Sequence, residues 1–522
     1  MNVLQHALSW SFRLLLVTLG LWVSRVALTT STKLPNTGQA LSIHPQNSKY
    51  FLFRGKPLAL ITATEHYGSV VNVRFYFEQY LQDAADKRMT LTRLFLLFRE
   101  QQSARNPYSP VKPDTLDFLT PFVRTGPGTA LDGEPRFDLD QWNPTYFERL
   151  HHFLRRASDL GIVVEVTLFS NSYGDSVWAL NPFHSKNNVN GLKPIEWPEY
   201  TTLKSEDLFA RQVSYVRKII QETSGYDNIY YEICNEPGGG VASHSSPEEV
   251  DQWQAAIAKV IQEETFKLNS PHLIFGSQAF TYTPKFFQKT DDTFHMQFVD
   301  AVNIHPLPDT AFGGRVFQMG NFMSKELKLS EIRDFCLATA GQNKPVVMDE
   351  DNAASLYRND VGWTIHRKRA WTVLLSGSHY DYIDFSVTIG NDSGTEESRR
   401  KIRTWMKNLS EFIHSFDFIR AKPLQGWIRS QPAFVVESVL GIPGEDYVIY
   451  LADAREVGDP EAGKPIQMNL RMPLPAGSYR ARLYSPISGG YSPALRIESR
   501  GEAELELPAF EQDLVVRMRG IP

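Results

Sequence analysis

The sequence predicts an α/β protein, a (β/α)8 TIM barrel, followed by a small all-β sandwich. Three observations carry that expectation. Strand-like and helix-like segments alternate from about residue 57 to 416, which argues for parallel strands joined by crossover helices. The helical period then disappears, and short alternating runs separated by turn residues fill the remainder. The length of 522 residues also exceeds one ordinary core, so a large domain and a smaller one are expected. The boundaries read as 1–30 for a signal peptide or membrane anchor, 36–417 for the barrel and 418–522 for the sandwich.

The apolar run 58–62 predicts the first strand, and 75–87 its helix. The second strand spans 91–98; its helix, 144–160, stops at Gly161, the residue type best suited to a left-handed helix end. A third strand, 162–169, precedes a helix opening at Ser205 with Glu206 and Asp207 in its first turn, where acidic groups suit the helix dipole. Residues 229–234 form the fourth strand. Ser246, Pro247 and Glu249 then make a capping box for the next helix. Weaker elements follow: a strand at 273–275, a short helix near 284–289, a strand at 298–304 and a helix at 324–340. The seventh unit is 345–348 with 362–375, and the eighth 382–387 with 401–416. Eight units over roughly 360 residues fit a closed barrel with long insertions. The long loops 99–143, 170–204 and 305–323 all follow strands, so a barrel places them on its C-terminal face. Their aromatics, Trp142, Tyr173, Trp178, Trp197 and Phe312, are candidate walls of a substrate cleft. Beyond Phe418, the runs 447–451, 478–484, 503–507 and 513–518 read as strands of a sandwich of about 100 residues.

Composition narrows the function classes. Fifty-four basic against 59 acidic residues give a net charge of −5 with no basic run, which argues against nucleic acid or an anionic membrane as the main partner. Two cysteines, Cys234 and Cys336, supply neither a disulfide framework nor zinc-type spacing, and both read as small core residues. His-x-His and His-Glu-x-x-His spacings are absent, so no metal and no other cofactor are expected. Arg13 followed by the apolar run 14–23 resembles a signal-peptide core and is short for a membrane span of about 20 residues. An exported protein is expected, attached to a membrane only if that segment is retained as an anchor. The triplets beginning at Asn391 and Asn408 fit glycosylation acceptors.

The chemistry concentrates at two strand ends. Asn235-Glu236-Pro237 closes the fourth strand and opens a glycine-rich loop. The apolar strand 345–348 ends in Asp349-Glu350-Asp351, three consecutive carboxylates that are costly to bury unless a cation or a substrate faces them. Polar residues at strand C-termini face a barrel's active site, so Glu236 and Glu350 can converge on one cleft. Weaker candidates on the same rim are His66 after strand one, Asn171 after strand three and Trp178 in the following loop.

These residues give the chain a resemblance to the clan A glycoside hydrolases, in particular the family 5-like, cellulase-type barrels. In that clan an Asn-Glu pair ends strand four, its Glu being the acid/base, and a second Glu ending strand seven is the nucleophile. The resemblance assigns those roles to Asn235-Glu236 and Glu350. It also matches Arg93 to an arginine in strand two near the nucleophile, and His305 to a histidine ending strand six. It covers residues about 50 to 416. Pro306 stands where an aromatic often follows the histidine, strand eight lacks a Trp, and Asp351-Asn352 replaces the usual aromatic-Gly. These departures bear on substrate more than on reaction class. The resemblance implies hydrolysis of an oligo- or polysaccharide with retention, which needs carboxyl groups about 5–5.5 Å apart. Glu350 is then the nucleophile, Glu236 the acid/base, and Asn235 the partner of the sugar 2-hydroxyl. Two alternatives share the residues: a non-catalytic carbohydrate-binding protein on a retired barrel, and a transglycosylase.

Overall fold

Eight strands pair side by side, all parallel, around a closed interior. In a computed structural model they are β1 Ile61–Thr64, β2 Leu91–Phe95, β3 Val163–Ser170, β4 Ile229–Asn235, β5 Ile274–Ser277, β6 Ala301–Ile304, β7 Val346–Asp351 and β8 His379–Ile383. Seven parallel ladders run from β2 through β8 to β1. At the seam the Thr90 amide, just before β2, donates to the Ile61 carbonyl at 3.0 Å, bringing the last two edges together. The structure describes residues 40–64, 68–97, 107–109, 111, 113–240, 245–281, 288–320, 326–351, 359–383, 395–429 and 431–521. The expected leader at 1–30, His66 and the acceptor Asn391 lie outside them.

The crossover helices are α1 Phe77–Asp86, α2 Pro144–Asp159, α3 Glu206–Thr223, α4 Pro247–Lys267, α5 Asp291–His295, α6 Leu329–Thr339, α7 Asp360–Leu375 and α8 Glu396–Ile413. The capping box expected at Ser246 is present, its hydroxyl accepting from the Glu249 amide at 3.3 Å. Four expectations shift. Strand one begins at Ile61, because Lys56–Leu58 belongs to an antiparallel hairpin with Phe51–Phe53. Phe51 and Phe53 of that hairpin pack against Leu91, Val163, Tyr230, Phe275, Ala301 and Val347, the N-terminal ends of the strands, and plug the barrel floor. Strand eight starts at His379, not 382, since its polar His379 and Asp381 are buried strand residues. The helix near 284–289 does not form at Gln288–Lys289, which is a strand; α5 follows it, and residues 282–287 lie outside the description. Helix α8 starts earlier than 401, capped by Thr395.

C-terminal to the barrel, an antiparallel sheet contains Val435–Ile442, Asp446–Asp453, Asp513–Gly520, Gly477–Tyr484 and Leu495–Ser499 in spatial order, with Lys422–Pro423 at its edge. A two-stranded sheet, Asn469–Met472 with Ala503–Glu506, shares its apolar core, which includes Ile449, Leu470, Leu505 and Val516. The sandwich packs on α7, and this explains an anomaly in that helix: it is buried on every side, Arg367, Lys368 and Arg369 included. Each cation has a partner. Arg367 forms two bonds to Asp513 at 2.7 and 2.8 Å, Lys368 donates to the Asp453 carbonyl at 2.8 Å, and Arg369 clasps Asp351 at 2.6 and 2.7 Å. Trp371 stacks on Tyr450 with ring centroids 5.5 Å apart. Asn408, a sequence candidate for glycosylation, is buried, and its amide nitrogen donates to the Pro486 and Ile487 carbonyls; no glycan can be attached there in the folded protein. Cys234 and Cys336 are free and buried. Among the described residues no helix is long and apolar enough to cross a membrane.

Because Arg367 has no water to replace Asp513, Asp513→Ala is expected to cost about 3–5 kcal/mol, the usual penalty of stranding one member of a buried ion pair. Urea unfolding checks this; a loss below 1 kcal/mol, on the order of a surface pair, contradicts it. Truncation at residue 417 bares Trp371 and is expected to yield insoluble protein, read by fractionating the lysate.

Candidate active site

Every residue of β4 is buried, and the strand delivers Asn235 and then Glu236 to the C-terminal rim. Glu236 adopts φ 47°, a left-handed conformation that non-glycine residues rarely take outside sites where the surroundings impose it. The glycines beyond it supply the imposition. The loop runs against Ala279–Phe280, with Phe280 N–H on the Pro237 carbonyl at 2.7 Å and Gly240 N–H on the Phe280 carbonyl at 2.8 Å. Gly238 sits at φ 122°, and a Cβ there would fall 2.6 Å from the Phe280 oxygen. Only glycine permits that approach.

Strand β7 solves the problem of three adjacent buried carboxylates with a bulge. Its register against β8 shifts between Met348 and Asp351, and Glu350 takes φ 48°, matching Glu236. Adjacent side chains of a regular strand point to opposite faces; the bulge lets both Asp349 and Glu350 reach inward. Arg93 of β2 meets them, Nη1 lying 2.6 Å from Glu350 Oε1 and Nη2 3.3 Å from Asp349 Oδ2. Asp351 turns the other way, to Arg369.

Arg93 is fully buried and also contacts Glu232 Oε2 at 2.7 Å, Glu165 Oε1 at 3.2 Å and Asn235 Oδ1 at 3.2 Å. On the opposite side His305, ending β6, places Nδ1 3.0 Å from Glu236 Oε1 and 3.6 Å from Glu350 Oε2, with Nε2 3.6 Å from Asp349. Two cations thus face five carboxyl groups. Burial works against charge on Arg93, but Asp349, Glu232, Glu165 and Glu350 outweigh it and hold the guanidinium firmly protonated. Burial likewise works to neutralise His305, and Glu350, Asp349 and Glu236 overcome it, so the imidazole is protonated well above its usual range. Burial, reinforced by Glu232, pushes Glu165 far up, so it is neutral. Burial also works upward on Glu232 and Asp349, but Arg93 prevails at both and keeps them ionised. Glu350 is raised to about 7 by burial, against the pull of His305 and Arg93. One oxygen each of Glu236 and Glu350 and one His305 nitrogen lie within 4.8 Å of one another.

Comparison with known proteins fits this architecture. Residues 116–222 match a domain of unknown function, DUF6298. No curated protein matches the chain. Among solved structures, a protein described as a glycoside hydrolase aligns over 93% of this chain and 98% of its own, with a TM-score of 0.59 and 12% identity. A glycoside hydrolase family 5 structure from Bacteroides vulgatus ATCC 8482 aligns over 93% of this chain and 94% of its own, with a TM-score of 0.58 and 13% identity. The likeness is one of fold. It spans barrel and β domain together.

The remaining sequence candidates divide. Asn171 is buried; its side-chain oxygen accepts from the Tyr173 amide at 2.9 Å, holding Tyr173 at φ 55°. Tyr173 is in turn half-exposed and its hydroxyl accepts from Asn235 Nδ2 at 2.8 Å, so the rim group here is Tyr173 rather than Asn171. Trp178 is not a cleft wall. The short helix Asp175–Trp178 turns its indole inward against Tyr200 and His184, at 5.1 and 5.5 Å, because loop 170–204 has a small core of its own. Phe312 is similarly buried, against Phe294 and Phe335.

Sequence reading missed Glu165, Glu232, Gln278 and Asp381. The first two were detectable as lone carboxylates inside the apolar strands β3 and β4. Gln278 fixes His305 through both its amide and its carbonyl, at 3.1 and 2.9 Å, and Asp381 Oδ2 accepts from the Glu350 amide at 3.4 Å. Two sets, Glu236–His305–Glu350 and Glu165–Glu232–Asp349, bring donor atoms close enough to hold a metal ion. Arg93 already fills the second with positive charge, and a cation in the first requires His305 to give up its proton.

Replacing Arg93 with Met leaves Glu232 and Asp349 buried without their counter-ion. The expected loss is about 3–5 kcal/mol, measured by urea unfolding; stability within 1 kcal/mol, on the order of a surface substitution, refutes the network.

Proposed function

We propose that the protein is a glycoside hydrolase that cleaves a β-linked glycan or glycoside with retention of configuration. One observation carries the reading: Glu236 and Glu350 converge from the ends of β4 and β7, both in left-handed backbone conformations, with carboxyl oxygens within 4.8 Å. So close an approach of the two carboxyls suits a nucleophile and an acid/base acting on one bond, as in a retaining pair. Two structures of the same fold and similar extent are described as glycoside hydrolases, which supports the reading.

In this mechanism Glu350 attacks the anomeric carbon while Glu236 protonates the departing oxygen; the aglycone leaves, and a glycosyl ester remains on Glu350. Glu236, now ionised, removes a proton from water, which displaces Glu350 and regenerates both groups. Arg93, 2.6 Å from Glu350, stabilises the carboxylate before attack and as it leaves. His305, protonated, places Nδ1 3.0 Å from Glu236 Oε1 and orients the acid/base carboxyl without entering the proton cycle. Asn235, fixed by Arg93 and Tyr173, is placed to meet the sugar 2-hydroxyl. The apolar leader at 14–23 supports an exported enzyme, which fractionation of producing cells checks.

Glu236→Gln and Glu350→Gln are each expected to lower kcat by about 10²–10⁴-fold or more on an aryl glycoside that the wild type turns over. Wild-type rates in either variant end the assignment, whereas inverted product by NMR ends only the retaining part. The pH dependence follows from Glu350. Its carboxyl is raised to about 7 and must be ionised to attack, so kcat/KM falls as pH drops through about 7. An acid limb centred near 4.5, the range of an unperturbed Glu, contradicts that.

A further inference from the structure

A cavity of about 430 Å³ lies between the outer face of the larger β sheet and the chain that follows α8, lined by Arg480, Arg482, Arg517, Arg519, Tyr491 and Ser415 among others. The strands alternate strictly here: Tyr479, Ala481, Val516 and Met518 face the core, so the arginines share the opposite face. Arg480 stands directly across from Arg519 on one side and Arg496 on the other, and Arg482 directly across from Arg517. Like charges at opposed positions are destabilising, and the chain as a whole is acidic, at −5. Internal carboxylates do not balance the cluster. Asp446 serves both Arg517, at 2.9 Å, and Arg519, at 3.3 Å; Glu498 is taken by Arg496 at 2.6 Å. Among the described residues Arg480 and Arg482 form no ion pair. Arg482 lies 5.0 Å over the Tyr491 ring and donates Nε to the Ser492 carbonyl, which leaves its terminal nitrogens directed elsewhere.

We propose that this cavity binds the carboxylate or sulfate group of an acidic glycan. Guanidinium forks engage carboxylate and sulfate oxygens bidentately, and two of them are free for it. The partly exposed Tyr491 ring, with Arg482 over it, adds apolar surface beside them. The volume falls within the roughly 300–1,000 Å³ of small-ligand sites and suits one or two sugar units rather than the extended basic stripe of a nucleic-acid surface. Ser415 follows the C-terminus of α8, where the chain has returned to the N-terminal side of the barrel, so the cavity is separate from the mouth holding Glu236 and Glu350. It would anchor the enzyme to an anionic polymer without occupying the cleft. Recognition of the anion stands on the arginines alone, while a glycan as its carrier rests on the glycosidase reading.

The test is isothermal titration of the full chain, wild type and Arg480→Gln/Arg482→Gln, with trigalacturonate, a sulfated trisaccharide, cellotriose and sodium sulfate. Expected are binding of one or both acidic sugars, at least tenfold weaker binding in the double variant, and no binding of cellotriose at this site. Which acidic sugar binds names the source of the anion. The proposal is overturned if neither acidic sugar binds, if the double variant binds them like wild type, or if sodium sulfate binds as tightly as the sugars. The double variant relieves opposed charges, so its melting temperature is expected to equal or exceed that of wild type; a single Arg480→Gln variant serves as the second reading. Glu350→Gln is expected to abolish hydrolysis and leave anion binding unchanged, which separates failure of this site from failure of the catalytic assignment.

Discussion

Arg93 is a guanidinium held with no exposure to solvent inside a barrel, and the arrangement of the polar groups at the C-terminal face follows from the need to compensate it. Burying such a cation is unfavourable by several kcal/mol even after relaxation, and carboxylates of good geometry are what offset it. β3, β4 and β7 each contribute, through Glu165, Glu232, and Asp349 with Glu350. The same groups then constrain one another. Burial first, and then the neighbouring carboxyls, leave Glu165 neutral and raise Glu350 to about 7.

Backbone geometry serves the same end. Glu236 and Glu350 both occupy the left-handed region, one released by a glycine-rich loop clamped to Phe280, the other by a bulge in β7. Regular strand ends would send consecutive side chains to opposite faces. The irregularities turn Asn235–Glu236 and Asp349–Glu350 into pairs that act on the same space. Strain of this kind persists only where neighbouring contacts over-determine it, and Arg93 and His305 provide those contacts.

The β domain is part of the barrel's stability rather than an appendage. Helix α7 would be a poor surface helix, since its apolar residues run all round, and the sandwich buries its outer face with Asp513 and Tyr450 waiting for Arg367 and Trp371. Arg369 carries the effect inward to Asp351, the residue beside Glu350. On the same barrel-facing side, beyond Tyr484 and toward Ser415, the sheet gathers unbalanced arginines, an arrangement that folding alone does not favour.

Alternation of strand and helix periods, the caps at Ser246 and Gly161, and the two glutamates at strand ends were all readable from sequence, because each is a local pattern of residue type and spacing. The order of elements made the barrel, and with it the meeting of residues 236 and 350. Other features were beyond local reading. Trp178 looked like a cleft aromatic, yet its loop packs the ring inside; strand eight looked apolar from 382, yet buried His379 and Asp381 begin it. Glu165 and Glu232 were visible as carboxylates in apolar strands, but their partner lies on a third strand. The sign and strength of every ionisation here depend on which charges share the interior and how little water reaches them. Only the closed barrel decides that, since it brings β2, β3, β4, β6 and β7 around one desolvated guanidinium.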